Sequence, residues 1–168
     1  DPAAGLVAHQ ADSYLRVKLP ADGDYVLALS DVQGQGGDAC AYRLRVGPPR
    51  PDFALRVTPA GLALGPGRSG TVTVQAIRRD GFAGDIEVAL KDAPAGFTAK
   101  PVRIAGDKDA ADMTIVAPRD VPRQAFVLQF EGSAQIGGTT LTRPAVPAEK
   151  MMQAFAYRHL VPSKELML

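Results

Sequence analysis

The chain has 168 residues, 19 of them basic and 18 acidic, for a formal net charge of +1. That length allows one ordinary domain, or one domain and a fragment of another, and 46% apolar content separates it from disordered tracts. No Lys/Arg run extends beyond Arg78–Arg79, so nucleic acid is excluded as a partner on electrostatic grounds, and no apolar run reaches the roughly 18 residues of a membrane span.

The sequence opens on Asp1–Pro2 with no signal-peptide pattern, which reads as an internal cut from a longer precursor. Residues 13–19, SYLRVKL, alternate Leu15, Val17 and Leu19 with Arg16 and Lys18, the period of a half-buried strand. Asp22–Gly23 supplies a turn, and YVLAL then places Tyr25, Leu27 and Leu29 on one face. A Gly-rich stretch, Gly34–Gln35–Gly36–Gly37, precedes a third alternating run, with Cys40, Tyr42, Leu44 and Val46 inward and Arg43 and Arg45 outward. Three such runs with short connections predict an antiparallel meander, a partial β segment over 1–48. Three strands cannot close a sandwich, so this face is expected to pack on the second domain or on another copy.

GPPRP, residues 47–51, marks the boundary, because proline donates nothing to a ladder and forces its predecessor to extend. Beyond it, short alternating runs recur at spacings near ten residues. They carry Phe53, Leu55 and Val57; Val72, Val74 and Ala76; Ile86, Val88 and Leu90; Met113, Ile115 and Ala117; then Phe126, Leu128 and Phe130. Gly137–Gly138 is expected at a hairpin tip. About seven short strands at this spacing predict an all-β fold, an immunoglobulin-like β-sandwich over 51–145. The C-terminal extension, 146–168, admits a helix over 148–160, although Pro144, Pro147 and Pro162 favour extended chain.

The Gly-rich stretch lacks the third glycine and following helix of a dinucleotide fingerprint, and no Lys–Ser/Thr pair follows it, so it reads as a hairpin loop. His9 and His159 lie far apart in sequence without a carboxylate or second His at ligand spacing. None of the five serines sits in a G-x-S-x-G elbow, and the single cysteine, Cys40, reads as a buried thiol. No catalytic residue and no cofactor are expected. Asp107, Asp109 and Asp112 crowd one loop, a composition that suits calcium. The twelve-residue ligand loop is absent, and a solvated turn is the preferred reading. No Trp is present to stack on a sugar, and Tyr14, opposite Leu15, is the tyrosine placed for exposure.

The stretch LPADGDYVLALSDVQGQGGDACAYRLRVGPPRPDF resembles the closing strands of the bacterial pre-peptidase C-terminal domain. Pro20–Gly23, Tyr25–Leu29, Asp31–Gly37 and Tyr42–Val46 carry that resemblance over about 35 residues, and the family's earlier strands have no counterpart. DIEVALKDAPAGFTA is similar to a strand and turn common in bacterial immunoglobulin-like domains. The pair resembles the large secreted multidomain proteins of planctomycetes. The resemblance implies a non-enzymatic, extracytoplasmic accessory region, acting as spacer, scaffold or interaction module beside other domains of the same precursor. The alternatives are a binding module for glycan or another envelope polymer, calcium-assisted, and an accessory part of a secreted peptidase.

Overall fold

The computed structural model describes residues 6–7, 15–31, 33–38, 40–120, 122, 124–153 and 157–168. The chain is all-β, with no helix among the described residues, and it divides into two units, one of residues 1–12 with 50–168 and one of residues 13–49.

The larger unit holds β1 (Leu6–Val7), β2 (Asp52–Thr58), β3 (Ser69–Arg79), β4 (Ile86–Lys91), β5 (Thr98–Ala99), β6 (Val102–Ile104), β7 (Ala110–Val116), β8 (Val127–Ile136), β9 (Thr139–Gln153), β10 (Tyr157–Pro162) and β11 (Leu166–Met167). One mixed sheet runs β5-β7-β3-β2-β9-β8-β4-β6. Its neighbours are antiparallel except β2 and β9, which pair in parallel with Leu55 opposite Ala145. The end strands β5 and β6 are consecutive in the chain, and β6 lies against β7, so the sheet curls around one core. The expected all-β fold is therefore built on a single curled mixed sheet.

The period-2 residues named from sequence fill that core. Phe53, Leu55 and Val57, Val72 and Val74, Ile86 and Val88, Met113 and Ile115, and Leu128 and Phe130 are all buried. Each such side chain contributes about 1.5–3 kcal/mol when withdrawn from water. Phe82, from the β3–β4 connection, stacks on Phe53 with centroids 5.6 Å apart. Gly137 and Gly138 form the β8–β9 turn with φ of 58° and 80°, the left-handed pair that a two-residue hairpin demands.

The described residues of the C-terminal extension are mostly strand. β9 continues past Pro144 and Pro147 and folds back on β10, pairing Met152 with Arg158 and Lys150 with Leu160, while β1 adds to β10 in parallel. The helix admitted over 148–160 is overturned, because ladder pairing satisfies this backbone instead. β11 then joins β8 through Leu166 and Leu128. Met167 accepts from the Leu62 N–H at 2.9 Å and donates its own N–H to Ala60 at 2.8 Å.

Within 13–49, the described residues carry no strand. The alternating side chains stand in solvent: Leu15 is 75% exposed, Tyr42 75% and Val46 79%. The expected ladder is absent among these described residues; a three-stranded sheet holds together only when its apolar face is packed. Cys40, expected in the interior of that sheet, is exposed, as are Tyr25 and Tyr42. The Gly-rich stretch is a turn. The Asp31 carboxylate accepts the Gln33 and Gln35 N–H groups at 2.9 and 3.2 Å, and Gly34, at φ 67°, donates to the Asp31 carbonyl.

Candidate functional site

The acidic residues singled out from the sequence sit at the β6–β7 connection and on the first half of β7, but they do not act together. Asp112 faces Thr73 across the β3–β7 ladder and accepts its hydroxyl proton at 2.7 Å. Asp109 approaches Arg78 Nε at 3.9 Å with its carboxylate in water. Asp107 is exposed on the connection itself. Among the described residues, no three His, Cys, Asp or Glu side chains converge to hold a metal ion.

The organiser of this region is Arg78, which the sequence reading did not single out. Its side chain, 14% exposed, lies over the Phe82 ring at 5.3 Å. Nη1 donates to the Gly84 carbonyl at 2.6 Å, and Nη2 donates to the carbonyls of Ala105 and Lys108 at 2.7 and 3.1 Å. One guanidinium thus ties the β3–β4 and β6–β7 connections together, a use suited to a rigid fork of donors. Gly106 fits beneath because it lacks a side chain: a Cβ there would run into the Ala83 carbonyl oxygen.

Asp85 completes the tie. It accepts the Gly106 N–H at 2.9 Å and a guanidinium N–H from Arg103. The Arg103 hydrogen bond, then the Gly106 N–H, hold its carboxyl below the usual carboxylate range. Further along the same outer surface, Lys91 pairs with Glu131 at 3.0 Å, and that hydrogen bond raises the Lys91 ammonium above its ordinary value.

Between these ties lies a shallow open groove of about 350 Å³, lined by Gly84, Asp85, Glu87, Ser133, Ala134, Gln135 and Thr140. The ladder dictates this grouping. Glu87 faces Ser133 across β4–β8, and Gln135 faces Thr140 across β8–β9, so outward-pointing polar residues of three strands fall side by side. Gln135 Nε2 donates to Thr140 Oγ1 at 2.6 Å. Carboxylate, hydroxyl and carboxamide groups here can accept from and donate to a polar ligand. None of these residues stood out in the sequence; the available signal was their polar, outward phase beside Ile86, Val88 and Ala134.

A second, apolar cleft of about 90 Å³ lies between Leu64, Phe97, Phe126 and Leu168. There Phe97 and Phe126 are tilted against each other at 5.0 Å, and Leu168 exchanges two backbone hydrogen bonds with Phe126.

His159 is half-buried on β10 opposite Met151, whereas His9, Ser13 and Tyr14 lie outside the described residues. Asp22 and Asp24 are exposed around the Gly23 turn. No helix among the described residues is long and apolar enough to cross a membrane. No protein-family model matches this chain, and no curated protein matches it in sequence.

Proposed function

We propose that the chain is a non-catalytic accessory region of a larger secreted bacterial protein, with an immunoglobulin-like module over 51–145 serving as spacer or scaffold. The observation that supports this is how the polar side chains are used. Arg78, Asp85, Asp52, Asp112 and Glu149 each bind backbone or a neighbouring strand: Arg143 grips Asp52 with two donors at 3.1 and 3.2 Å, and Glu149 accepts the Ala60 N–H at 2.8 Å. Such cross-links stiffen a fold and leave those groups committed to structure. Its partners are then other domains of the same precursor, and its place is the cell envelope or the exterior. Assays of the purified chain with fluorogenic peptides, esters and glycosides are expected to give no turnover. Turnover abolished by Ser133→Ala or Glu87→Gln refutes the proposal.

The polar groove favours a second reading, a binding face for a neutral or cationic envelope polymer such as a polysaccharide. A ligand that binds only the folded state raises the unfolding temperature by mass action. A thermal-shift screen with cell-wall polysaccharides tests it. A shift removed by Gln135→Ala supports the groove, and no shift with any polysaccharide removes the reading.

A further inference from the structure

We propose that Asp22–Gly23 is a site of spontaneous covalent modification, where the aspartyl bond rearranges through a succinimide to an isoaspartyl bond, while the same dipeptide at Asp80–Gly81 is protected by its turn. The chain holds two Asp-Gly dipeptides and no Asn, so no deamidation competes and any isoaspartate arises from Asp. The reaction needs no partner but water. The glycine nitrogen attacks Cγ of the protonated Asp side chain; a C–N bond forms, and the carboxyl hydroxyl leaves with the amide proton as water, closing a cyclic imide. Glycine permits this because no Cβ crowds the attacking nitrogen. Water then adds to either imide carbonyl and breaks its bond to nitrogen. Opening at the former side-chain carbonyl restores aspartate. Opening at the former main-chain carbonyl leaves the chain running through Cγ, one methylene longer, with a free α-carboxylate beside it.

Local structure divides the two sites. Asp22 and Gly23 stand in a bend outside any ladder. The hydrogen bonds of that bend join Ala21 to the Tyr25 hydroxyl, which donates to the Ala21 carbonyl at 2.5 Å and accepts its N–H at 3.4 Å. They pass over both reacting residues. Among the described residues, no hydrogen bond or ion pair holds the Asp22 carboxylate or the Gly23 N–H. Asp80–Gly81 is the reverse case. Both residues are left-handed, at φ 49° and 80°, in a turn closed by the Phe82 N–H on the Arg79 carbonyl at 3.0 Å. The Asp80 carboxylate accepts the Arg50 N–H at 2.7 Å, and Phe82, next in the chain, is buried against Phe53. Closing the imide there requires the turn to open, the bond to Arg50 to break and Phe82 to shift in the core. Loss of the carboxylate hydrogen bond alone slows the reaction about tenfold or more. The contrast is set inside each unit and does not rest on the accessory-module reading.

The test ages the full chain in neutral buffer at physiological temperature and maps its peptides by mass spectrometry with electron-transfer fragmentation, which separates isoaspartyl from aspartyl linkages of equal mass. Methyl transfer from labelled S-adenosylmethionine by an isoaspartyl carboxyl methyltransferase measures the same product independently. Isoaspartate is expected to accumulate at Asp22 at least about tenfold faster than at Asp80, and the two rates are expected to converge when the chain is aged in concentrated urea. Asp22→Glu, whose longer side chain closes an imide far more slowly, should remove most of the methyl label from the folded chain and leave the unfolding transition of 50–168 unchanged. Equal rates at the two sites in the folded chain overturn the proposal, as does an Asp22 that stays aspartyl. A contrast that persists in urea overturns it too, since neighbouring residues rather than the turn would then set the rates.

Discussion

Gly132 tests the packing logic of the curled sheet most sharply. It sits in the middle of β8, between Val88 of β4 and Arg143 of β9, and a Cβ there would overlap Leu55 Cδ1 and lie 3.0 Å from Ile86 Cγ2. Replacing a strand glycine with alanine ordinarily gains about 0.5–1 kcal/mol, because the unfolded chain loses freedom. Here Leu55 and Ile86 are both fully buried, so neither swings aside, and overpacking of this kind costs about 1–3 kcal/mol. Overpacking wins, and Gly132→Ala is expected to destabilise the larger unit by roughly 1–2 kcal/mol, a fall of several degrees in Tm. Urea and thermal unfolding measure it, and a cycle with Leu55→Ala identifies the cause. Leu55→Ala alone should cost about 2–5 kcal/mol, and its cost should shrink by at least about 0.5 kcal/mol in the Gly132→Ala background. A Gly132→Ala protein as stable as the wild type, or an additive cycle, refutes the reasoning.

Gly137→Ala meets no neighbour within 4 Å but needs φ of 58°; strain alone should cost about 1 kcal/mol, and Leu55→Ala should leave that cost unchanged. Arg78→Met keeps an apolar body over Phe82 and removes the donors to three carbonyls. A loss of about 2–4 kcal/mol is expected, with faster amide exchange confined first to 80–85 and 105–109. Deleting residues 164–168 removes the fully buried Leu166 and the β11 pairing. It is expected to cost at least about 3 kcal/mol by equilibrium unfolding. The Asp85 carboxyl is held low in the folded chain, so its contribution is complete above the ordinary carboxylate range and is lost as pH falls through the lowered folded value. Asp85→Asn should flatten that acid limb in urea midpoints taken against pH, and salt should shrink the difference because the pair is exposed.

The interior was legible in the sequence because burial imposes the period directly: Phe53-Leu55-Val57 and Met113-Ile115 could point only one way in a strand. β9 was harder. Prolines at 144 and 147 argue against a ladder, yet Pro144 stands opposite Glu131 of β8, Pro147 opposite Val57 of β2, and β9 runs on to pair with β10. Residues 148–160 offer an imperfect helical face among prolines that favour extended chain, and the pairing of Leu160 with Lys150 decides for strand. In 13–49 the same alternation that located the core is present, yet the described residues form no strand, since a pattern of apolar residues states a need for cover and does not supply it. The acidic loop was legible only in part. Crowding of Asp107, Asp109 and Asp112 is visible in the sequence, whereas the partner that engages Asp109 is Arg78, thirty-odd positions upstream and brought near only by the β3–β7 pairing.

That same arginine joins the two regions that sequence and structure singled out separately. Gly84 and Asp85 form one wall of the polar groove. Gly84 is held by Arg78 Nη1, and Asp85 by the N–H of Gly106, whose own connection Arg78 fixes through Ala105 and Lys108. The groove wall therefore depends on a side chain that does not line it. If a polymer occupies the groove, Arg78→Met weakens its binding more than the loss of any one hydrogen bond from Gln135 or Thr140 would, because the whole wall loosens. Arg78→Lys, which keeps the charge but not the fork, should restore little of that affinity. If the groove is only the surface of a scaffold, both substitutions lower stability and change nothing else. Affinity and stability measured on the same two variants thus separate a binding face from a stiffened spacer.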